Sequence, residues 1–174
     1  MNASARCWSV VLSAGFGIAA LTWSTVHGPV ARLVYNSSDS VPRGWYRVGP
    51  TESLHVGGIV LARLPTEVAA LAAERRYLPE RVLLLKSIGA MSPQQVCVQD
   101  RIVRIDGVAL ATAFKADRQG RTLPVWQRCR ALHNNELFLL STTNPASFDS
   151  RYFGPVSTSA VIGSAHPIWT WSTP

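Results

Sequence analysis

The sequence predicts a mainly β domain with one short helix, preceded by a single N-terminal transmembrane helix. Three observations carry this: a charge-free apolar run over 7–26, a series of short β-rich runs with turn residues between them from Tyr35 onward, and one helical pattern at 66–76. The 174 residues allow one or at most two domains, and 47% hydrophobic content excludes disorder as the main state. The charged fraction is 16%, where about 25% is usual for a soluble domain. Apolar surface therefore goes somewhere besides an ordinary core, and a membrane is the first candidate. The formal charge of +7 comes from arginines scattered along the chain, with no basic run or aromatic-interleaved motif, so no nucleic-acid partner is expected.

Cys7 to Val26 matches the roughly 20 residues that a helix needs to cross a hydrocarbon core about 30 Å thick. Trp8 and Trp23 lie about 22 Å apart at 1.5 Å per residue, which suits the interfacial aromatic belt, and His27-Gly28-Pro29 stops the helix. A cleaved signal peptide fits less well, because the run exceeds the usual 7–15 residues and Ser24-Thr25-Val26 is a poor cleavage site. The α-amino group and Arg6 precede the helix, and Arg32 follows it. The expected organisation is a cytoplasmic N-terminus over 1–6, an uncleaved anchor over 7–26 and an outer domain over 27–174.

In the outer part, GWYRV (44–48), GIVLARL (58–64), RVLLLKSIGA (81–90), QVCVQDRIVRIDGVALA (95–111), ELFLLS (136–141) and SAVIGSAHPIW (159–169) read as strands. Asp106-Gly107 is a hairpin signal. Thr66 to Arg76 follows Pro65 and reads as a helix, with Thr66 as N-cap, an early Glu67 and terminal arginines. Ala113 to Leu132 is richer in charge, weaker in pattern, and reads as a long excursion carrying Cys129.

Cys97 and Cys129 both fall in the outer part. They could pair in an oxidising compartment, closing a loop of about 33 residues worth on the order of 3–4 kcal/mol, or they could stay as two buried thiols. With no CxxC or HxxxH pair, no structural metal is expected.

Three stretches could carry chemistry. In YNSSDSVPRGWY (35–46), Ser40 precedes Val41-Pro42, and Gly44 lets the chain turn back into a strand. A nucleophile needs such fixed presentation, although a serine before a proline turn is usually a turn residue. In RVLLLKSIGA, alternation puts Lys86 on the face of Leu84 and Val82, so the ammonium points into an apolar interior and its pKa falls. The other reading is an edge-strand lysine whose head reaches water. Only Lys86 and Lys115 are lysines among 17 basic residues, and Lys115 lies in the polar excursion. In STTNPASFDSRYFGP (141–155), Asp149 and Arg151 can fix a loop by a charge-assisted hydrogen bond.

The order NSSDSVPRGWY, RVLLLKSIGA, RIDG, SFDSRYFGPV resembles the boxes of the type I signal peptidase family, closest to the conjugal-transfer, TraF-type branch. The resemblance runs from the anchor to about Gly163. It implies a signal-peptidase/LexA-like β-fold and a serine endopeptidase with a Ser/Lys dyad, Ser40 as nucleophile and Lys86 as general base. The Ser40 amide and the Ser38 hydroxyl match the family's oxyanion hole, and Asp149, Ser150 and Arg151 match the supporting box. Gly57-Gly58 stands where the family usually has Gly-Asp, and Thr142-Thr143-Asn144 stands near its Gly-Asp-Asn.

What the resemblance further implies is a single-pass protein of the bacterial inner membrane with its catalytic domain in the periplasm, no cofactor, and a membrane-associated pilin or secreted-protein precursor as substrate. The product is a hydrolysed chain or a cyclised one. A histidine-dependent hydrolase would need His55, His133 or His166 beside a serine, and no GxSxG elbow occurs. The other reading is a non-enzymatic, membrane-anchored β-domain of a conjugation or secretion apparatus.

Overall fold

A computed structural model describes residues 3–26, 33–51, 54–141 and 143–171. The expected stop at His27-Gly28-Pro29, together with Arg32 and Thr142, lies outside the described residues. The chain forms two units, residues 1–32 and 33–174.

The first unit is a helix, α1 (Ala3–Val26), which contains the expected apolar segment and begins before it. It has no acidic residue in its first turn and no basic residue in its last, and Trp8, Phe16 and Trp23 are exposed. Among the described residues no helix is long and apolar enough to cross a membrane. The helix of the sequence reading is present, and the structure does not show a membrane crossing.

The second unit is mainly β and antiparallel. Its elements are β1 (Leu33–Asn36), β2 (Arg43–Gly49), β3 (Ile59–Ala62), α2 (Thr66–Glu74), β4 (Leu84–Met91), β5 (Gln95–Gln99), β6 (Ile102–Ile105), β7 (Val108–Thr112), β8 (Cys129–Ala131), β9 (Glu136–Leu140), α3 (Ser150–Phe153), β10 (Val156–Ser157) and β11 (Val161–Trp171). One sheet runs in the order β1-β2-β11-β3-β4-β9-β10, and a second runs β7-β6-β5-β8. Strand β9 explains how one domain holds two sheets. Leu137 and Leu139 join a core with Val60, Ala62, Leu84 and Ile88, while Phe138 and Leu140 join another with Val96, Val98 and Val103. A strand buried on both faces has no polar face to alternate, which is why ELFLL reads as a continuous apolar run.

Several expectations change in detail. The run 95–111 folds as three strands, because Asp100 and Arg101 (φ 49 and 64) make a second two-residue hairpin turn besides Asp106-Gly107 (φ 50 and 85). Helix α2 is capped by Pro65, with no side-chain cap hydrogen bond, so Thr66 is its first helical residue and not its N-cap. The excursion is mostly irregular, with a bridge between Ala116 and Thr122, and it ends in β8, where Cys97 and Cys129 face each other in register and form a disulfide. Val82 lies outside β4 and is exposed, so the shared face drawn from alternation does not include it. Gly44 sits inside β2 with φ 142, where an added Cβ would lie 2.1 Å from the Trp169 carbonyl oxygen. Glycine is required there by the close approach of β11 rather than by a turn.

One sheet face stays open. Tyr35, Trp45 and Trp171 cluster on β1, β2 and β11, with ring centroids 5.1 and 6.1 Å from Tyr35, and Trp169 beside them is 71% exposed. The opposite face of β2 buries Gly44, Tyr46 and Val48.

Candidate active site

The site begins with the turn between β1 and β2. Asn36, buried at the end of β1, spreads its side-chain amide to the carbonyls of Ser38 (2.9 Å), Val41 (3.0 Å) and Pro42 (3.1 Å). Its Oδ1 accepts from the Ser38 amide at 3.1 Å and the Ser38 hydroxyl at 2.8 Å. One amide side chain thus replaces the backbone partners that an irregular, partly buried turn would otherwise lack. Val41 is buried below the turn, and the Tyr46 hydroxyl donates to the Pro42 carbonyl at 2.6 Å. From the far end of the chain, Ser141 Oγ donates to the Ser40 carbonyl at 2.7 Å and Thr143 Oγ1 to the Asp39 carbonyl at 2.7 Å.

These ties fix Ser40, which is buried. Its Oγ lies 2.8 Å from Ser38 Oγ and donates to the Leu85 carbonyl at 3.3 Å. With the Ser38 proton given to Asn36, the Ser40 proton is shared between Ser38 Oγ and Leu85. Leu85 is the neighbour of Lys86, so the serine loop rests directly on the strand that carries the lysine.

Lys86 is 3% exposed on β4, which runs between β3 and β9 in the interior of the sheet. The edge-strand reading therefore does not hold. Burial lowers the Lys86 pKa from 10.5 to about 8; the nearby Asp149 carboxylate opposes this, and Arg151 adds to it. Among the described residues the amine's hydrogen bond goes to Ser147 Oγ, and none joins it to Ser40.

The last stretch builds the wall behind the amine. Asp149 caps α3 and forms a bidentate pair with Arg151, Nε to Oδ1 at 2.8 Å and Nη2 to Oδ2 at 2.9 Å, both side chains almost fully buried. Arg151 also donates to the carbonyls of Thr112 (3.0 Å), Pro145 (2.7 Å) and Ser147 (2.9 Å). Asp149 Oδ2 accepts from the Ser141 amide at 3.0 Å, and Ser150 Oγ accepts from the Leu139 amide at 2.9 Å. All of the charge is matched, so the pair acts as a rigid brace.

Ser38, Ser40, Lys86, Ser147, Phe148 and Tyr152 line one groove of about 790 Å³. The residues expected from the sequence thus converge: Ser38, Ser40 and Lys86 face the groove, and Asp149, Ser150 and Arg151 brace it from within. Asn36 and Ser147 lie inside the quoted motifs, but sequence reasoning assigned them no role. Their functions arise from contacts across 6 and 61 residues, which no local spacing announces. Among the described residues no group of three or more His, Cys, Asp or Glu side chains could hold a metal ion.

The family whose description is "Signal peptidase, peptidase S26" matches residues 5–171. A plasmid transfer protein TraF of Escherichia coli is 32% identical over 168 residues, covering 89% of this chain and 92% of that protein. A conjugal transfer protein TraF of Agrobacterium fabrum is 33% identical over 167 residues, covering 89% and 93%. A solved signal peptidase I of Enterococcus faecalis is 20% identical with a TM-score of 0.40, over 66% of this chain and 97% of that one. The assignment rests on the sequence matches, which run along most of both partners: the chain belongs to the signal peptidase S26 family.

Proposed function

We propose that the protein is a membrane-anchored serine endopeptidase of conjugative transfer, with Ser40 as nucleophile and Lys86 as general base. The observation that carries the reading is the meeting of the two residues in one groove, where Ser40 Oγ donates to the carbonyl of the residue preceding a buried Lys86. An amine with a pKa of about 8 is about 10% neutral at pH 7, against about 0.03% at its ordinary 10.5. In the proposed reaction Oγ leaves the Leu85 carbonyl, gives its proton to the Lys86 amine and attacks the scissile carbonyl. The Ser40 amide and the Ser38 hydroxyl, which turns its proton away from Asn36, hold the oxyanion. Collapse expels the substrate amine, which takes the proton from Lys86, and an acyl-enzyme remains. Water resolves it to a linear product, or the substrate's own N-terminus resolves it to a cyclic one.

The plasmid and conjugal transfer proteins among the relatives support a role in conjugative transfer, and the proposed substrate there is a pilin or secreted-protein precursor. The charge-free apolar segment within α1 supports a single-pass anchor in the bacterial inner membrane with the domain in the periplasm. The open face of Tyr35, Trp45, Trp169 and Trp171, with exposed Arg47 beside Trp45 on β2, supports contact with a bilayer.

The test is processing of a co-expressed pilin precursor, read by mass spectrometry, in which linear and cyclic products differ by one water. Ser40→Ala, Lys86→Ala and Lys86→Arg should each abolish processing while the protein accumulates. Arginine keeps the charge but supplies no neutral base. Normal processing in any of the three would overturn the dyad and favour a non-enzymatic anchored β-domain.

A further inference from the structure

Across the groove from the serine loop stands a wall made by the C-terminal end of α2 and the excursion after β7. The two segments are latched together. Arg75 Nη1 donates to the Thr122 carbonyl at 2.8 Å, Arg121 Nη2 returns a bond to the Arg75 carbonyl at 3.0 Å, and the Tyr77 hydroxyl donates to Asp117. Arg121 also pairs with Asp117 at 2.7 Å and lies over the Tyr77 ring. Asp117 folds its own turn, accepting from the amides of Gln119 and Arg121. Burial would raise its pKa, but the hydrogen bonds from Tyr77, Arg121 and the turn amides outweigh this and hold it below the usual range.

The wall leaves two cations over. Of arginines 43, 75, 76 and 118, which line the groove with aspartates 39 and 117, Arg43 is paired with Asp39 and Arg75 is held by the Thr122 carbonyl, while Asp117 is spent on Arg121. Among the described residues the Arg76 and Arg118 guanidiniums have no partner. Arg76 stands, moreover, at the position just past the α2 cap with φ 58. Its amide bonds the Ala73 carbonyl and the next amide bonds Ala72, the helix ending at which glycine is the usual occupant. A long cationic side chain standing where the backbone favours glycine, facing a groove with surplus positive charge, points to use of that side chain.

We infer that Arg76 and Arg118 form a carboxylate-recognition subsite of the groove, which selects peptide substrates carrying an acidic side chain or a free C-terminal carboxylate. The inference rests on the peptidase reading for the identity of the ligand, and it adds a specificity that the serine and lysine do not supply.

Binding tests it without relying on turnover. The full chain carrying Ser40→Ala, in a neutral detergent, is titrated against short fluorescein-labelled peptides that differ in one internal Glu or Gln and in a free or amidated C-terminus. At least one carboxylate arm should bind about 3- to 10-fold more tightly than its uncharged counterpart, and the arm that does so identifies the source. The preference should shrink as salt rises and vanish in the Arg76→Gly/Arg118→Gln double variant. The Gly substitution suits the backbone, and Arg76→Lys, which keeps the charge, should retain the preference. Equal binding of all peptides, or a preference that survives in the double variant, would overturn the subsite. So would a double variant that keeps its peptide preference but loses capture by anionic phosphatidylglycerol vesicles, since the two cations would then serve a lipid surface. Cleavage of the same peptides by the unsubstituted chain is scored separately: carboxylate preference without cleavage would overturn the peptidase reading alone.

Discussion

Arg151 Nη2 donates to the carbonyl of Ser147 at 2.9 Å, so the residue that meets the Lys86 amine is held in place by a guanidinium four positions further on. The same guanidinium is neutralised by Asp149, and the position of the amine's partner therefore depends on a buried ion pair.

Removing one member of that pair strands the other. Asp149→Ala should cost about 3–5 kcal/mol in urea unfolding, because a buried guanidinium loses its counter-charge and the Ser141 amide loses its acceptor. A loss below about 1 kcal/mol, the range of exposed pairs, would show that the brace is not under tension from burial.

Activity should follow the amine. With the Lys86 pKa lowered to about 8, kcat/KM should climb about tenfold per pH unit below 8 and level off above it. A flat profile between pH 6 and 9 would exclude this amine as the base.

The same shift has a stability consequence of opposite sense to that of a salt bridge. The folded pKa lies below the ordinary 10.5, so between about 8 and 10.5 the unfolded chain binds more protons and stability rises with pH. Lys86→Met should remove this rise and raise stability at pH 7 by on the order of 3 kcal/mol. Thermal melts at pH 7 and pH 10 would decide, and a variant less stable than the parent at pH 7 would refute it.

Asn36 is a sharper probe of the serine loop than either serine. Asn36→Asp keeps the size and the acceptor for Ser38 but cannot donate to the Ser38, Val41 and Pro42 carbonyls. Processing should fall at least about 10-fold, with a stability loss of about 1–3 kcal/mol from the unpaired carbonyls. Unchanged processing would mean that the loop is held without Asn36, by Tyr46, Ser141 and Thr143.

In the smaller sheet, Cys97→Ser with Cys129→Ser should cost about 3–4 kcal/mol on the chain-entropy scale for a separation of 32 residues. Peptide cleavage measured well below the melting temperature should change little, because neither cysteine lines the groove.

Much of the site was legible because its pieces are local. Ser38 and Ser40 share one turn, Asp149 and Arg151 share another, and the order of the boxes brings them to one family pattern. Asp106-Gly107 announced its hairpin, whereas Asp100-Arg101 did not, since neither residue is the glycine that a left-handed turn normally uses. The Thr66 cap was displaced by one residue because Pro65 already supplies extended backbone at φ −53 and ψ 145. Strand β1 is four residues long and its partner residues lie on β2, so no periodicity could mark it. The interior position of Lys86 depends on β9 pairing with β4 from about 50 residues away, a fact of topology that alternation along one strand does not contain.

The hydrogen bond from Ser141 to the Ser40 carbonyl spans 101 residues, and the bonds from Ser40 to Leu85 and from Lys86 to Ser147 span 45 and 61. Each such contact closes a loop of that length, at an entropic cost that grows slowly with the separation. A nascent or clipped chain that lacks the segment after Leu140 would carry both the serine and the lysine, with the turn short of its ties to Ser141 and Thr143 and the amine without its Ser147 partner. Completion of the groove therefore waits on the segment after Leu140.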